Sequence, residues 1–211
     1  MELPKGFHRE VIEARENARK KVSTSLINHG GSNFETYSLH KLRNGSYRFS
    51  PSYKQSFELI SILILPVGFI TYLIIMFLST GSFGFVLNNL MVFIFGIIIT
   101  FSLTRYFLLK FKLYNFNRKK GLYYEGFPLL PSFLTHRKIK IGDILAIQIL
   151  GERIYDIETG LKANSFELNL VLKSLRRVHV IDHNNLQGML DDAQELSAYL
   201  NIPIWHAKSG K

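Results

Sequence analysis

Hydrophobic and polar positions along this chain fall into three regimes, and the middle one is the most constrained. From Leu59 to Thr104 no side chain is charged, and Ile, Leu, Val and Phe crowd around one polar midpoint, Ser79-Thr80-Gly81-Ser82. A bilayer core about 30 Å thick needs roughly 20 apolar residues per helical crossing. The pattern therefore predicts a two-helix transmembrane hairpin, with spans at Phe57–Leu78 and Phe85–Phe107. A buried core hairpin of a soluble protein fits less well, because such helices seldom pass about 14 apolar residues without a charge. A cleaved secretory signal does not fit, since the apolar run starts far beyond the usual 15–30-residue window.

Before the apolar segment the period is helical and then alternating. Phe7, Val11, Ala14, Ala18, Val22 and Leu26 recur every three or four residues, predicting an amphipathic helix within residues 1–28. Docking on the soluble domain is expected of so thin a stripe, with pairing to a second copy or the membrane surface as the alternatives. Asn28-His29-Gly30-Gly31-Ser32 ends it. Two strands follow within residues 33–50, Phe34–Leu42 and Tyr47–Ser50, around the hairpin dipeptide Asn44-Gly45.

After the apolar segment, residues 112–206 read as a β-domain with a closing helix. Strands are predicted at Lys112–Asn117, Leu122–Tyr124, Lys138–Ile141, Ile144–Leu150, Phe166–Lys173 and Val178–Ile181, and Phe127–Phe133 reads as an irregular loop. In Phe166–Leu172 the alternation puts Phe166, Leu168, Leu170 and Leu172 on one face, as in a half-buried antiparallel strand. Leu186, Met189, Leu190, Ala193, Leu196 and Leu200 then mark an amphipathic helix from Leu186 to Leu200. Asn184 or Asn185 is its expected N-cap, with Asp182 assisting; Pro203 prevents continuation, and Ile204-Trp205 forms a last apolar clasp.

Charge adds orientation. The formal net charge is +10, and Lys and Arg flank the apolar segment on both sides while its midpoint has none. Because basic residues mark cytoplasmic ends of spans, both termini are expected in the cytoplasm, in a multi-pass membrane protein. Such charge suits anionic lipid better than nucleic acid in an anchored chain. There is no cysteine, which excludes disulfides, thiolate nucleophiles and Cys-based metal sites.

The runs Ala146–Leu150, Ser165–His183 and Asp191–Trp205, with Gly30–Phe34 upstream, resemble bacterial membrane-anchored proteins with a pleckstrin-homology-like (PH-like) domain. Phe166 stands where those proteins carry tyrosine, and Ser174-Leu175 where their turn has an acidic residue and glycine. The resemblance implies an α+β membrane protein. Its transmembrane hairpin is inserted in a PH-like antiparallel β-domain closed by a C-terminal amphipathic helix, with the first two strands joining the later ones across the insertion.

Candidate chemistry is sparse. His179 and His183 are the one close histidine pair, but four-residue spacing on a strand does not converge on an ion, so they read as satisfied surface histidines and no metal or cofactor is expected. Gly81-Ser82-Phe83-Gly84 lacks the strand-to-helix context of a nucleophile elbow, and Gly30-Gly31-Ser32 lacks the Lys of a phosphate loop. No enzyme is indicated, and uncharged spans argue against transport. What remains is a basic set, Arg118, Lys119, Lys120, Arg137, Lys138 and Lys140, set against a purely topology-setting role. Of these, Lys119, Lys120, Arg137, Lys138 and Lys140 are the candidate headgroup- or ligand-binding residues. The expected function is an anchored interaction module for a protein partner or anionic lipid headgroup, possible as a homo-oligomer. The alternative is a small accessory or immunity protein protecting against a membrane-targeted toxin.

Overall fold

A computed structural model describes residues 16–29, 31–80, 88, 90–126, 137–155, 160 and 162–208. The start of the N-terminal helix, the turn through Gly81–Phe83, Gly30 and the Phe127–Phe133 loop lie outside these residues. The chain is α+β and divides into a β-unit, Met1–Ser50 with Leu113–Lys211, and a helical unit, Pro51–Lys112.

In the β-unit, sheet A has five strands in chain order: β1 (Tyr37–Lys41), β2 (Tyr47–Pro51), β3 (Tyr114–Asn117), β4 (Leu122–Glu125) and β5 (Arg137–Lys140). Its central pairing is β2 with β3, antiparallel, with Tyr47 opposite Phe116 and Phe49 opposite Tyr114. The strand ends that lead into the helical unit are therefore neighbours at one end of this sheet. The β1–β2 connection differs from a two-residue turn. The Leu42 N–H donates to the Ser46 carbonyl and the Gly45 N–H to the Leu42 carbonyl, so three residues form the loop. Only Gly45 takes a positive φ, 77°, the left-handed position that closes a type I turn in such loops.

Sheet B holds β6 (Ile144–Tyr155), β7 (Lys162–Leu172), β8 (Arg177–His183) and β9 (Ile204–Lys208), in the order β8-β7-β6-β9. The expected apolar clasp at Ile204-Trp205 is a strand, and β9 runs parallel to β6. The domain is thus not purely antiparallel, because the helix between β8 and β9 supplies the crossover a parallel partner needs. The β7–β8 turn repeats the three-residue loop, now with Leu175 at φ 63° in place of a glycine.

The core lies between the inner faces of the two sheets and the closing helix. Phe49, Phe116, Tyr123, Ile147, Leu168, Leu170 and Val180 are fully enclosed with Met189, Ala193 and Leu196 of that helix, Leu186–Leu200. Asn185 caps it, its side-chain oxygen accepting the Gln187 and Gly188 N–H groups. Asp182 takes no part in the cap, because its carboxylate faces the opposite side of the sheet.

Among the described residues the amino-terminal helix covers 16–21 and ends there, before the Leu26 to which its apolar stripe runs. Ser23, Thr24 and Ser25 stop it: the Ser23 hydroxyl accepts the Ser25 N–H at 3.2 Å, a local bond that competes with the helix. Val22 packs with Ala146, Val171 and Trp205 on the outer face of sheet B, so the segment docks in cis. This is why β7 is buried on both faces and not one, with Glu167 and Asn169 buried beside Leu168 and Leu170.

In the helical unit, α2 (Tyr53–Ser61) and α3 (Ile64–Thr80) are interrupted at Ile62 and Leu63, and α4 spans Leu90–Lys110. The interruption follows from Pro66, which has no N–H and whose ring would meet the carbonyl of Ile62 in a continuous helix. With the N-terminal 16–21 helix as α1, the closing helix is α5. Phe69 lies so close to Gly96 that a Cβ there would sit 1.9 Å from its ring, so α3 and α4 meet at a residue with no side chain.

Removing the α5 cap should be measurable. Asn185→Ala leaves two N–H groups without their acceptor and is expected to cost about 1 kcal/mol in urea or thermal unfolding of the detergent-solubilised chain.

Candidate functional site

Strand direction divides the basic set. Arg118, Lys119 and Lys120 form the β3–β4 turn, at the end of sheet A away from the helical unit's connections. Arg118 is tied to the end of α5: its N–H donates to the Tyr199 hydroxyl at 2.8 Å and its guanidinium to the Tyr199 carbonyl at 3.1 Å. Lys119 and Lys120 are exposed beside it. β5 runs toward this turn, so Lys140, opposite Leu122, joins them, while Arg137 and Lys138, opposite Glu125 and Tyr124, stand nearer the other end.

Alternation then separates Arg137 from Lys138. Arg137 projects with Ile139 and meets Glu125 at 3.1 Å. Glu125 is buried and also accepts the Tyr123 hydroxyl at 3.1 Å. Burial first, and Glu125 second, push the Tyr123 phenol well above its ordinary pKa. Arg137 thus compensates a buried carboxylate. Lys138 and Lys140 are exposed on the opposite face of β5. Across the sheet from Lys138 run Tyr124, Asn115 and Arg48, with Arg48 Nε donating to Asn115 Oδ1 at 2.6 Å.

A second polar constellation sits on the outer face of sheet B. Glu167 on β7 receives the Ile27 N–H on both oxygens and the Asn28 N–H at 2.7 Å, along with the Asn169 amide. The Asn28 side chain donates to Asp182 Oδ2 at 2.6 Å. His179 Nε2 lies 3.2 Å from that same oxygen but is not aligned with it as a hydrogen bond. His179 and Asp182 are three apart and should face opposite sides of a regular strand. They share a face because β8 bulges: Leu168 pairs with Ile181 but Asn169 with His179, leaving Val180 as the extra residue. Three buried atoms here, Asn169 Oδ1, His179 Nε2 and Asp182 Oδ1, have no hydrogen-bond partner.

His183 belongs elsewhere. It lies inside β8 and is buried, not a surface residue past the strand end, with Nδ1 accepting the Asn185 N–H at 2.9 Å and Nε2 3.7 Å from Glu35. Burial lowers its pKa, opposed by Glu35. The two histidines do not converge. The polar alternation of Glu167 and Asn169 was the one sequence signal of this constellation; the bulge that recruits His179 and Asp182 left none.

Beside it, the amino-terminal segment and sheet B enclose an open cleft of about 550 Å³, lined by Glu16, Arg19, Lys20, Val22, Gln148 and Trp205, among others. On α5, an acidic group gathers: Asp192 is raised to about 7, chiefly by burial, with Glu35, Glu195 and Asp191 adding to it and an N–H from Leu39 opposing. Comparison with protein-family models, curated proteins and solved structures returns no match.

Asp192 supplies a pH test. A carboxyl whose folded pKa lies above its unfolded value stabilises fully below the unfolded value near 3.8, and this contribution is lost as pH rises through about 7. Asp192→Asn keeps the acceptor for Leu39 and is expected to raise Tm most at pH 8, the gap to the parent protein shrinking toward pH 4. Melting both proteins across that range checks it.

Proposed function

We propose that the chain is a multi-pass protein of the bacterial inner membrane, in which the α2–α3 and α4 segments form a transmembrane hairpin that anchors a non-catalytic, PH-like interaction module. The observation that carries this is the helical unit's surface. Ile64, Leu78, Met91, Phe95 and Phe101 are each more than 60 % exposed there, on helices with no charge between Leu59 and Thr104. Apolar area left in water costs roughly 25 cal/mol per Å², whereas hydrocarbon chains receive it without penalty. At 21 residues α4 is about 31 Å long, the thickness of a bilayer core. The PH-like reading draws support from two sheets packed around a C-terminal helix.

The ligand is an anionic lipid headgroup, and the residues best disposed to hold it are Lys138 and Lys140, since Arg137 is engaged by Glu125. Both lysines are exposed on one face of β5, and a lysine near an anionic leaflet contributes about 1 kcal/mol of attraction.

Because the native chain has no cysteine, single cysteines report topology directly. Ser82→Cys should react with a membrane-impermeant maleimide in intact spheroplasts and Lys119→Cys only after lysis; recovery of the protein in the soluble fraction overturns the anchor. For the ligand, the full chain in nanodiscs should melt higher with phosphatidylglycerol than with phosphatidylcholine alone. The difference should vanish in the Lys138→Glu/Lys140→Glu variant, and equal melting of the parent protein in both lipids rejects headgroup binding.

A further inference from the structure

We propose that Glu167, His179 and Asp182 form a binding site for a divalent transition-metal cation, with zinc the best match to its donors. One ligand-capable atom from each lies within 4.8 Å of the other two. Tetrahedral zinc with bonds near ~2.1 Å spaces its ligand atoms about 3.4 Å apart, so the three close onto an ion by small side-chain rotations. An imidazole with two carboxylates is a zinc donor set; magnesium and calcium sites are built from oxygens.

The electrostatics ask for a cation. Glu167 is 2 % exposed and Asp182 9 % exposed, and two buried carboxylates are costly without compensation. Glu167 is partly compensated by the N–H groups of Ile27 and Asn28. Asp182 is less so: Oδ2 accepts from Asn28 and lies 3.2 Å from His179 Nε2, and Oδ1 has no hydrogen-bond partner. His179 Nε2, the nitrogen facing Asp182, has none either. A neutral imidazole with two carboxylates and a dication sums to zero charge.

Asn169 adds to the same picture. Fully buried, it donates its amide to Glu167, which orients that carboxylate, and its own Oδ1 has no partner. It acts as a positioning residue for Glu167. The side chain of His179 is 25 % exposed, which gives an ion a way in.

The test uses the full chain in detergent, stripped with EDTA and titrated with Zn²⁺ and Co²⁺ by native mass spectrometry and visible absorption. One metal per chain is expected, with cobalt d–d bands of low-coordinate geometry. His179→Ala should weaken binding at least tenfold, the lower bound of what metal sites lose even for outer-shell changes of about 10–100-fold. Its metal-free circular dichroism should match that of the parent protein. If His179→Ala does not fold, Asp182→Asn is read in the same titration. Failure of the parent protein to bind zinc at ~100 µM, an affinity far below that of zinc-finger sites, overturns the proposal. So does unchanged affinity in the variants, which would place the metal on another histidine.

Discussion

The antiparallel pairing of β2 with β3 is the constraint on which the rest of the chain depends. It joins strands separated in sequence by the whole helical unit, and it does so through buried aromatic pairs, Tyr47 against Phe116 and Phe49 against Tyr114. Closing a long loop costs entropy that grows only with the logarithm of its length. A few buried aromatic contacts of the kind seen here, such as the edge-on packing of Phe49 with Phe116, can offset it. Without that pairing β1 and β2 would be an isolated hairpin, which is marginal in water, and α5 would lose one wall of the core it plugs.

The β-unit uses its second sheet differently. Sheet B buries both faces, one against α5 and one beneath residues 18–28. The second cover is held by polar groups as much as by Val22: Gln148 donates to the Ser23 carbonyl, and Glu167 gathers backbone N–H groups from Ile27 and Asn28. Polar anchoring fixes register where an apolar stripe would slide. It also leaves residual unpaired atoms, the usual mark of a polar network not fully satisfied by protein alone.

Local features were legible in the sequence wherever a period or a turn residue determined them. α5 has the limits its apolar face and Asn185 define, and β7 presents Leu168 and Leu170 to the core as its alternation requires. The uncharged run from Leu59 marks the apolar helices. What escaped was set by contacts distant in sequence. β9 is a strand because β6 offers it an edge. Val180 is a bulge because β7 demands the register on either side of it. The basic set divides because β5 runs back toward the β3–β4 turn and alternates its side chains, and neither fact is visible until the strand partners are known.

The neighbouring ends of β2 and β3 carry one more consequence. Adjacent antiparallel strands are ordinarily joined by two to five residues, as β1 and β2 are here. The helical unit therefore occupies the position of a hairpin loop, and the β-unit's pairing does not require it. A short Asn-Gly connection from Ser50 to Leu113 would satisfy the same strand geometry. In topological terms the apolar segment is an insertion confined to one turn of a sheet, between strands that pair directly with each other.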